Sequence, residues 1–300
     1  MKPLVPSQVV RSNHSETFDN GSPDDESDQR IDILVQSSEY EGNRIEEKRN
    51  EHFRIGVINI NGIPKNSAHP KNINLQETIN NYSFDVIGLT ETNCYWPMLE
   101  DKHKWSERVK QWWDKSKTIT AYHKHPVTPV LHQPGGVMNI ALNSTTNTVI
   151  KSGSDTIMGR WTWMTLRGKH DIKTTVITVY RPCKNNKGSN TVYSQQLRHL
   201  AAQQIDVCPR QLWLDDLKQL INSLQDKGHQ IILMGDFNEN VQSHNMVNWA
   251  NSLGLIESVS ISSDHSIPTH NSGSKPIDGI FISPSLTRVY SGYLPFGTFQ

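Results

Sequence analysis

The sequence predicts an α/β protein. Apolar or alternating runs that read as strands recur between residues 53 and 283, and stretches with apolar residues at helical spacing stand between them. Glycine punctuates the pattern: Asn61-Gly62 follows the first strand, and Gly228 and Gly254 follow two of the helices.

The elements follow in order. Residues 53–60 form a β-branched strand, Ile55-Gly56-Val57-Ile58-Asn59-Ile60, that runs into the Asn61-Gly62 turn. A helix is expected at 74–80, with Leu75 and Ile79 one turn apart. Strand 85–90 is an apolar run that ends in Glu91. Trp105, Val109, Trp112 and Trp113 fall near i, i+4, i+7 and i+8, which reads as a helix facing the core rather than a platform for stacked bases. Residues 118–121 and 135–142 read as strands, and 161–166 and 174–180 as strands adjacent in one sheet. The loop Lys184-Asn185-Asn186-Lys187-Gly188 reads as solvated, although its lysines could touch phosphate. Helix 212–225 carries Leu214, Leu217, Leu220, Ile221 and Leu224 on one stripe, with Asp215 and Asp216 in its early turns. Strand 230–235 follows, then a helix through Val247, Trp249, Ala250 and Leu253, then a last clear strand at 277–283.

Charge separates an arm from a body. Residues 1–50 hold 11 acids and 6 Lys/Arg, while the remaining 250 hold 19 acids and 24 Lys/Arg, so a net formal charge of zero hides a mildly basic body. That balance is compatible with nucleic acid and does not demand it. The arm, with Gly21-Ser22-Pro23-Asp24-Asp25-Glu26-Ser27-Asp28, is too poor in apolar side chains to offset its ordering entropy, so residues 1–50 are expected to be disordered, with a transient helix over 38–49. The folded domain is expected from residue 52 to residue 300. Cys94, Cys183 and Cys208 have neither metal-ligand spacing nor an even count, which argues against a disulfide framework. The first residues lack the apolar core of a signal peptide, and no apolar run reaches the roughly 20 residues needed to span a bilayer. The reading is a soluble intracellular protein with no membrane partner.

Residues 231–240 are the most informative stretch. Ile231-Ile232-Leu233-Met234 ends in Gly235-Asp236-Phe237-Asn238-Glu239. Side chains alternate along a strand, so Asp236 and Asn238 point to one side of its end, where an acid and an amide can bind a hard cation, position a water and contact a phosphate oxygen. A turn capping a following helix is the alternative. Three other strands end in comparable groups: Asn59, Glu91 in Leu89-Thr90-Glu91-Thr92, and Asp278 in Pro276-Ile277-Asp278-Gly279. Each alone has a simpler reading as a turn, loop or cap residue. His123 with His125, and His265 with His270, read as surface histidines.

Taken together and in this order, the four motifs resemble the endonuclease/exonuclease/phosphatase superfamily, over about residues 53–300. Val179-Tyr180-Arg181-Pro182 is similar to the family's tyrosine at the end of a central strand. Within the superfamily, Val179-Tyr180-Arg181-Pro182-Cys183 and the stretch from Gly228 to Glu239 look most like the endonuclease module of non-long-terminal-repeat retrotransposons. The resemblance implies a four-layered α/β sandwich of two stacked, mostly antiparallel sheets flanked by helices. It implies a phosphodiester hydrolase using Mg²⁺ or Mn²⁺, acting on DNA, within a longer polyprotein that carries a reverse transcriptase. Glu91 would be the main metal ligand, with Asn59 assisting at metal or phosphate. Asp236 would orient or deprotonate the attacking water, Asn238 would hold the scissile phosphate, and Tyr180 would place a phenol beside it. Arg181 and Thr269 would join the phosphate contacts.

Asp278 would pair with a histidine in a terminal Ser-Asp-His motif. No such motif follows Asp278 before Gln300, and Ser263-Asp264-His265 precedes it, in the wrong order. The expectation is a C-terminally incomplete domain, without its last strand and acid/base histidine, and with little activity of its own. A superfamily enzyme acting on another phosphoester, such as a phosphoinositide or sphingomyelin, and a non-catalytic remnant that binds nucleic acid or protein are the competing readings.

Overall fold

The structure, a computed structural model, describes residues 41–42, 47–126, 128–184, 188, 190–259, 268–270 and 273–295. Strand β1 is Glu41–Gly42, β2 Ile55–Asn59, helix α1 Pro70–Tyr82, β3 Val86–Thr90, α2 Trp105–Trp112, β4 Ser116–Ala121, β5 Val137–Leu142 and β6 Val149–Ser154. There follow β7 Trp161–Arg167, β8 Lys173–Tyr180, α3 Val192–Ala202, α4 Pro209–Gln225, β9 His229–Asp236, α5 His244–Asn251, β10 Ile256–Glu257, β11 Asp278–Ile282 and β12 Gly292–Tyr293.

Two mixed sheets form the middle of the domain. One has the order β2-β3-β5-β4, the other β10-β11-β9-β8-β7-β6. Each contains a single parallel pair, β2 with β3 and β8 with β9, and is otherwise antiparallel. The sheets press together through Val86, Ala141, Met164, Leu166, Val176, Ile232 and Met234. Gly88 lies at a close crossing of the sheets: a Cβ there would fall 2.4 Å from Thr178 Oγ1 and 3.0 Å from Met234 Cε, so glycine lets the sheets close. Buried Asn139 bridges the same gap, donating to the carbonyls of Thr162 and Val176 and accepting from the Thr178 hydroxyl.

Helices cover both outer faces, completing the four expected layers. Leu75 and Ile79 of α1 pack with Trp105 and Val109 of α2 against Ile87, Leu89 and Ile140 of the smaller sheet. On the other side Trp213, Leu217, Ile221 and Leu224 of α4 join Met246 and Ala250 of α5 over Ile177, Leu233 and Phe281. The tryptophans near residue 105 are therefore core, as their spacing implies. Helix α1 starts four residues before the expected 74, because Pro70 fixes the first turn and the His69 side chain accepts from Lys71 N.

Several expectations change. The reading of a transient helix over 38–49 gives way, where residues are described, to β1, which pairs antiparallel with β12 some 250 positions away. Lys48 also belongs to the folded body, donating to Asp85 Oδ1 at 2.6 Å. Ordered structure thus reaches ahead of the expected boundary at 52, and the rest of the arm expected to be disordered, residues 1–40 and 43–46, lies outside the described residues. Ser263-Asp264-His265 lies outside them too. His123 is not a surface residue. It is buried, shares a hydrogen bond between Nδ1 and the Ile157 carbonyl at 3.0 Å, and packs edge-on against His199, whose ring is also stacked on His125. Strand β11 is flanked on both edges, by β9 and by the short β10. No described helix is long and apolar enough to cross a membrane.

Candidate active site

The parallel pair of each sheet ends at the same place. In the larger sheet Tyr180 is the register partner of Asp236, and Asp236 in turn that of Asp278, so three polar residues stand side by side across β8, β9 and β11. In the smaller sheet Asn59 is level with Thr90, and Glu91 follows directly. At this end a hydrogen bond joins the two sheets, Asn59 Nδ2 to Asp236 Oδ2 at 3.0 Å, across 177 residues of sequence. The other oxygen of Asp236 accepts from Asn238 N at 2.8 Å. Both carboxylate oxygens are therefore aimed by amide donors.

Two site residues hold left-handed backbone: Glu91 at φ 51° and Asn238 at φ 47°. Such conformations cost free energy and persist only where the surroundings impose them. For Glu91 the surroundings are clear. Gly62 N donates to its carbonyl at 2.7 Å, and Thr92 N and Asn93 N turn to the carbonyls of Gly136 and Gly135. Asn238 is held by its own side chain, whose Nδ2 donates to the Arg181 carbonyl at 2.8 Å.

The electrostatics are those of crowded, sheltered acids. Burial pushes the Asp236 carboxyl well above the usual range, Asp278 and Glu91 push it further, and the donors from Asn238 and Asn59 pull the other way. Asp278 is raised to about 7, mainly by burial and also by Glu91, against the opposing hydrogen bond from the Thr269 hydroxyl. The Tyr180 phenol is also pushed up, first by burial and then by Glu91 and Asp236. It hydrogen-bonds to the Glu91 and Asn238 side chains and stays neutral. Lys71, half-buried at the start of α1, donates to the Asn61 carbonyl at 2.9 Å and lies in the field of Glu91.

These residues suit a hard divalent ion. Asp278 Oδ1 is enclosed and has no hydrogen-bond partner, the Glu91 charge repels Asp278, and Asp278 in turn repels Asp236. A cation is the simplest occupant that offsets such repulsion. Among the described residues no three His, Cys, Asp or Glu side chains form a ready cage. An open set still fits Mg²⁺, which keeps waters and takes one or two carboxylates together with substrate phosphates.

Two residues expected at the phosphate make contacts within the protein. The Arg181 side chain is buried; its Nη1 donates to Glu239 Oε2 at 2.5 Å, and the guanidinium lies 5.8 Å from the centre of the Trp213 ring. Its charge is paired with Glu239 in the interior. Thr269 Oγ1 accepts from Ile277 N at 2.9 Å and Asp278 N at 3.0 Å, so it shapes the approach to Asp278. Lys71, Arg210 and Glu239 are near the site and were not singled out from sequence. Glu239 was visible only as the residue after the Asn238 motif, and the two cations carry no local signal.

Comparison with known proteins agrees with this geometry. A family model, Endonuclease/Exonuclease/phosphatase family, matches residues 56–299. No curated protein matches the chain. Among solved structures, the human Nocturnin catalytic domain superposes with a TM-score of 0.55 at 17% identity, covering 81% of this chain and 88% of that one. The Xenopus laevis APE2 catalytic domain gives 0.51 at 16% identity, with 77% and 82% covered. The 3'-5' exonuclease from Neisseria meningitidis gives 0.50 at 14%, with 77% and 86% covered. At these identities the structures establish the shared fold. With the family model spanning most of the chain, this protein belongs to the endonuclease/exonuclease/phosphatase family, whose enzymes are metal-dependent phosphoester hydrolases.

Proposed function

We propose that this protein is a Mg²⁺- or Mn²⁺-dependent DNA endonuclease of the retrotransposon type, acting as part of a longer polyprotein. The observation that carries the hydrolytic reading is the Asn59–Asp236 hydrogen bond, which gathers groups from both sheets around one oriented carboxylate. The bound ion would supply charge neutralisation at the phosphoryl oxygens, held by Glu91 with Asn59 and the enclosed oxygen of Asp278 nearby. Asp236 takes a proton from the attacking water. Its sheltered position makes it a stronger base than an exposed aspartate, which suits proton transfer near neutral pH. Asn238 and Tyr180 donate to the phosphoryl oxygens, the phenol staying protonated because of its burial. Water oxygen bonds to phosphorus as the phosphodiester oxygen leaves. The mildly basic body favours nucleic acid over a lipid phosphoester, and the motifs around Tyr180 and Asp236 favour the retrotransposon group.

The test is nicking of supercoiled plasmid with Mg²⁺ by a chain extended to restore the family's terminal Ser-Asp-His motif, the 300 residues alone being expected to nick little. Asp236→Ala should lower the rate by about 10²–10⁴ while the fold survives, and Glu91→Gln should move the Mg²⁺ dependence to higher concentration. Equal nicking by parent and both variants would refute the mechanism. Faster turnover of a phosphoinositide than of plasmid would refute the substrate.

A further inference from the structure

Beneath the site lies a charged cluster that the reaction itself does not use. Glu239 Oε2 accepts from two arginines, Arg181 Nη1 at 2.5 Å and Arg210 Nη2 at 2.8 Å. Arg210, in the first turn of α4, also donates to two backbone carbonyls: Pro182 O through Nη1 at 2.6 Å and Asn238 O through Nη2 at 3.2 Å. One helical turn on, Trp213 Nε1 donates to Tyr180 O at 3.1 Å. Helix α4 thus grips the chain just after both parallel strands, β8 and β9, at the two segments that carry Tyr180 and Asn238. Arg181 closes the loop with its backbone: its N donates to Asp236 O at 2.9 Å and its carbonyl receives the Asn238 amide.

We propose that Arg210 and Glu239 are positioning residues, a clamp that holds Asn238 in its left-handed conformation so that its side-chain amide faces the reacting phosphate. The inference rests on the phosphoesterase reading of the site. Its logic is charge and strain. Two guanidiniums in one sheltered place repel, and a single carboxylate between them is what lets both stay. Arg210 reaches across the two strand exits with its side chain, beside the backbone bonds of Arg181. The Arg210 guanidinium ties Asn238 O to Pro182 O, and a left-handed asparagine relaxes once its neighbours release it. Asn238 spends one amide hydrogen on Arg181 O, so the direction of the other follows from where that carbonyl is held.

The experiment is a double-mutant cycle with a spectroscopic arm, on the full chain. Glu239→Gln keeps the size of the side chain and removes its charge. In the parent it should lower kcat for plasmid nicking by as much as about 10²-fold, the scale for a misplaced catalytic contact. In an Asn238→Ala background the same change should cost less than about twofold, because there is no amide left to position. Arg210→Met should behave likewise, and Arg210→Lys should recover part of the loss. Equal fold-losses in both backgrounds, or no loss in the parent, would overturn the clamp. Independently of activity, the side-chain amide resonances of Asn238, assigned by their disappearance in Asn238→Ala, should shift and broaden in Glu239→Gln and Arg210→Met. Unchanged resonances would also overturn it. If Asn238→Ala nicks at the parent rate, the phosphoesterase role of Asn238 fails instead, and the resonances still decide whether the clamp holds that residue.

Discussion

Replacing Asp278 by asparagine should stabilise the metal-free protein, and increasingly so as pH rises. Asp278 sits between Asp236 and the Thr269 loop, with one carboxylate oxygen enclosed and unpartnered. In the unfolded chain the group titrates near 3.8, and in the folded protein near 7. A carboxyl raised in this way holds its proton longer when folded. Its contribution is neutral below the unfolded value and becomes destabilising as pH rises toward the folded one. The full penalty, about 3 pH units at 1.36 kcal/mol each, is about 4 kcal/mol. Between about pH 5 and pH 7 the part that develops is about 2 kcal/mol, because titration tails off as pH meets the folded value. Asparagine cannot ionise, so the stability gap between Asp278→Asn and parent should widen by about 2 kcal/mol over that window. Urea unfolding in chelator at several pH values measures it. Saturating Mg²⁺ should narrow the gap above pH 7 by favouring the parent's charged form. A gap that stays constant within about 0.5 kcal/mol from pH 5 to 8 would refute the claim that this carboxyl is sheltered and crowded.

Gly235→Ala should destabilise by about 1–3 kcal/mol or more, read as a fall in thermal midpoint, since its Cβ would fall 2.0 Å from the Val179 carbonyl oxygen and drive β9 off its parallel partner. Thr269→Ala should cost about 1–3 kcal/mol in urea, because two backbone N–H groups lose their acceptor. The same change should shift the pH dependence of parent stability upward, because Asp278 loses its hydroxyl donor. Arg160→Met should cost about 3–5 kcal/mol, because it strands Asp155 and Asp216, which lie 2.5 and 2.8 Å from the buried guanidinium. Much of that loss should return in the triple variant that also carries Asp155→Asn and Asp216→Asn.

The elements that sequence missed share a cause. Strand β6 is an edge strand of Val149-Ile150-Lys151-Ser152-Gly153-Ser154, paired on one side and polar enough to pass for loop. Helix α3 buries Gln195 and Gln196 beside Leu200, so its inward stripe does not look apolar. Strands β1, β10 and β12 are two residues each and exist only as pairings with distant segments. His123 reads as exposed because the burying ring, His199, comes 76 positions later.

The sequence by itself determined where the central strands run and which oxygen-bearing side chains end them: Asn59, Glu91, Tyr180, Asp236 and Asp278. It could do so because an apolar run that stops at a polar residue is a local signal, and buried central strands must be apolar on both faces. It also determined the family, through the order of those strand ends. Only the tertiary structure decided where each group stands beside the others. That Arg181 pairs with Glu239, that Thr269 bonds to Asp278, and that burial raises Asp236 depend on contacts between residues far apart in the chain. Coulomb interaction and desolvation depend on distance and burial in three dimensions, and spacing along the sequence carries neither.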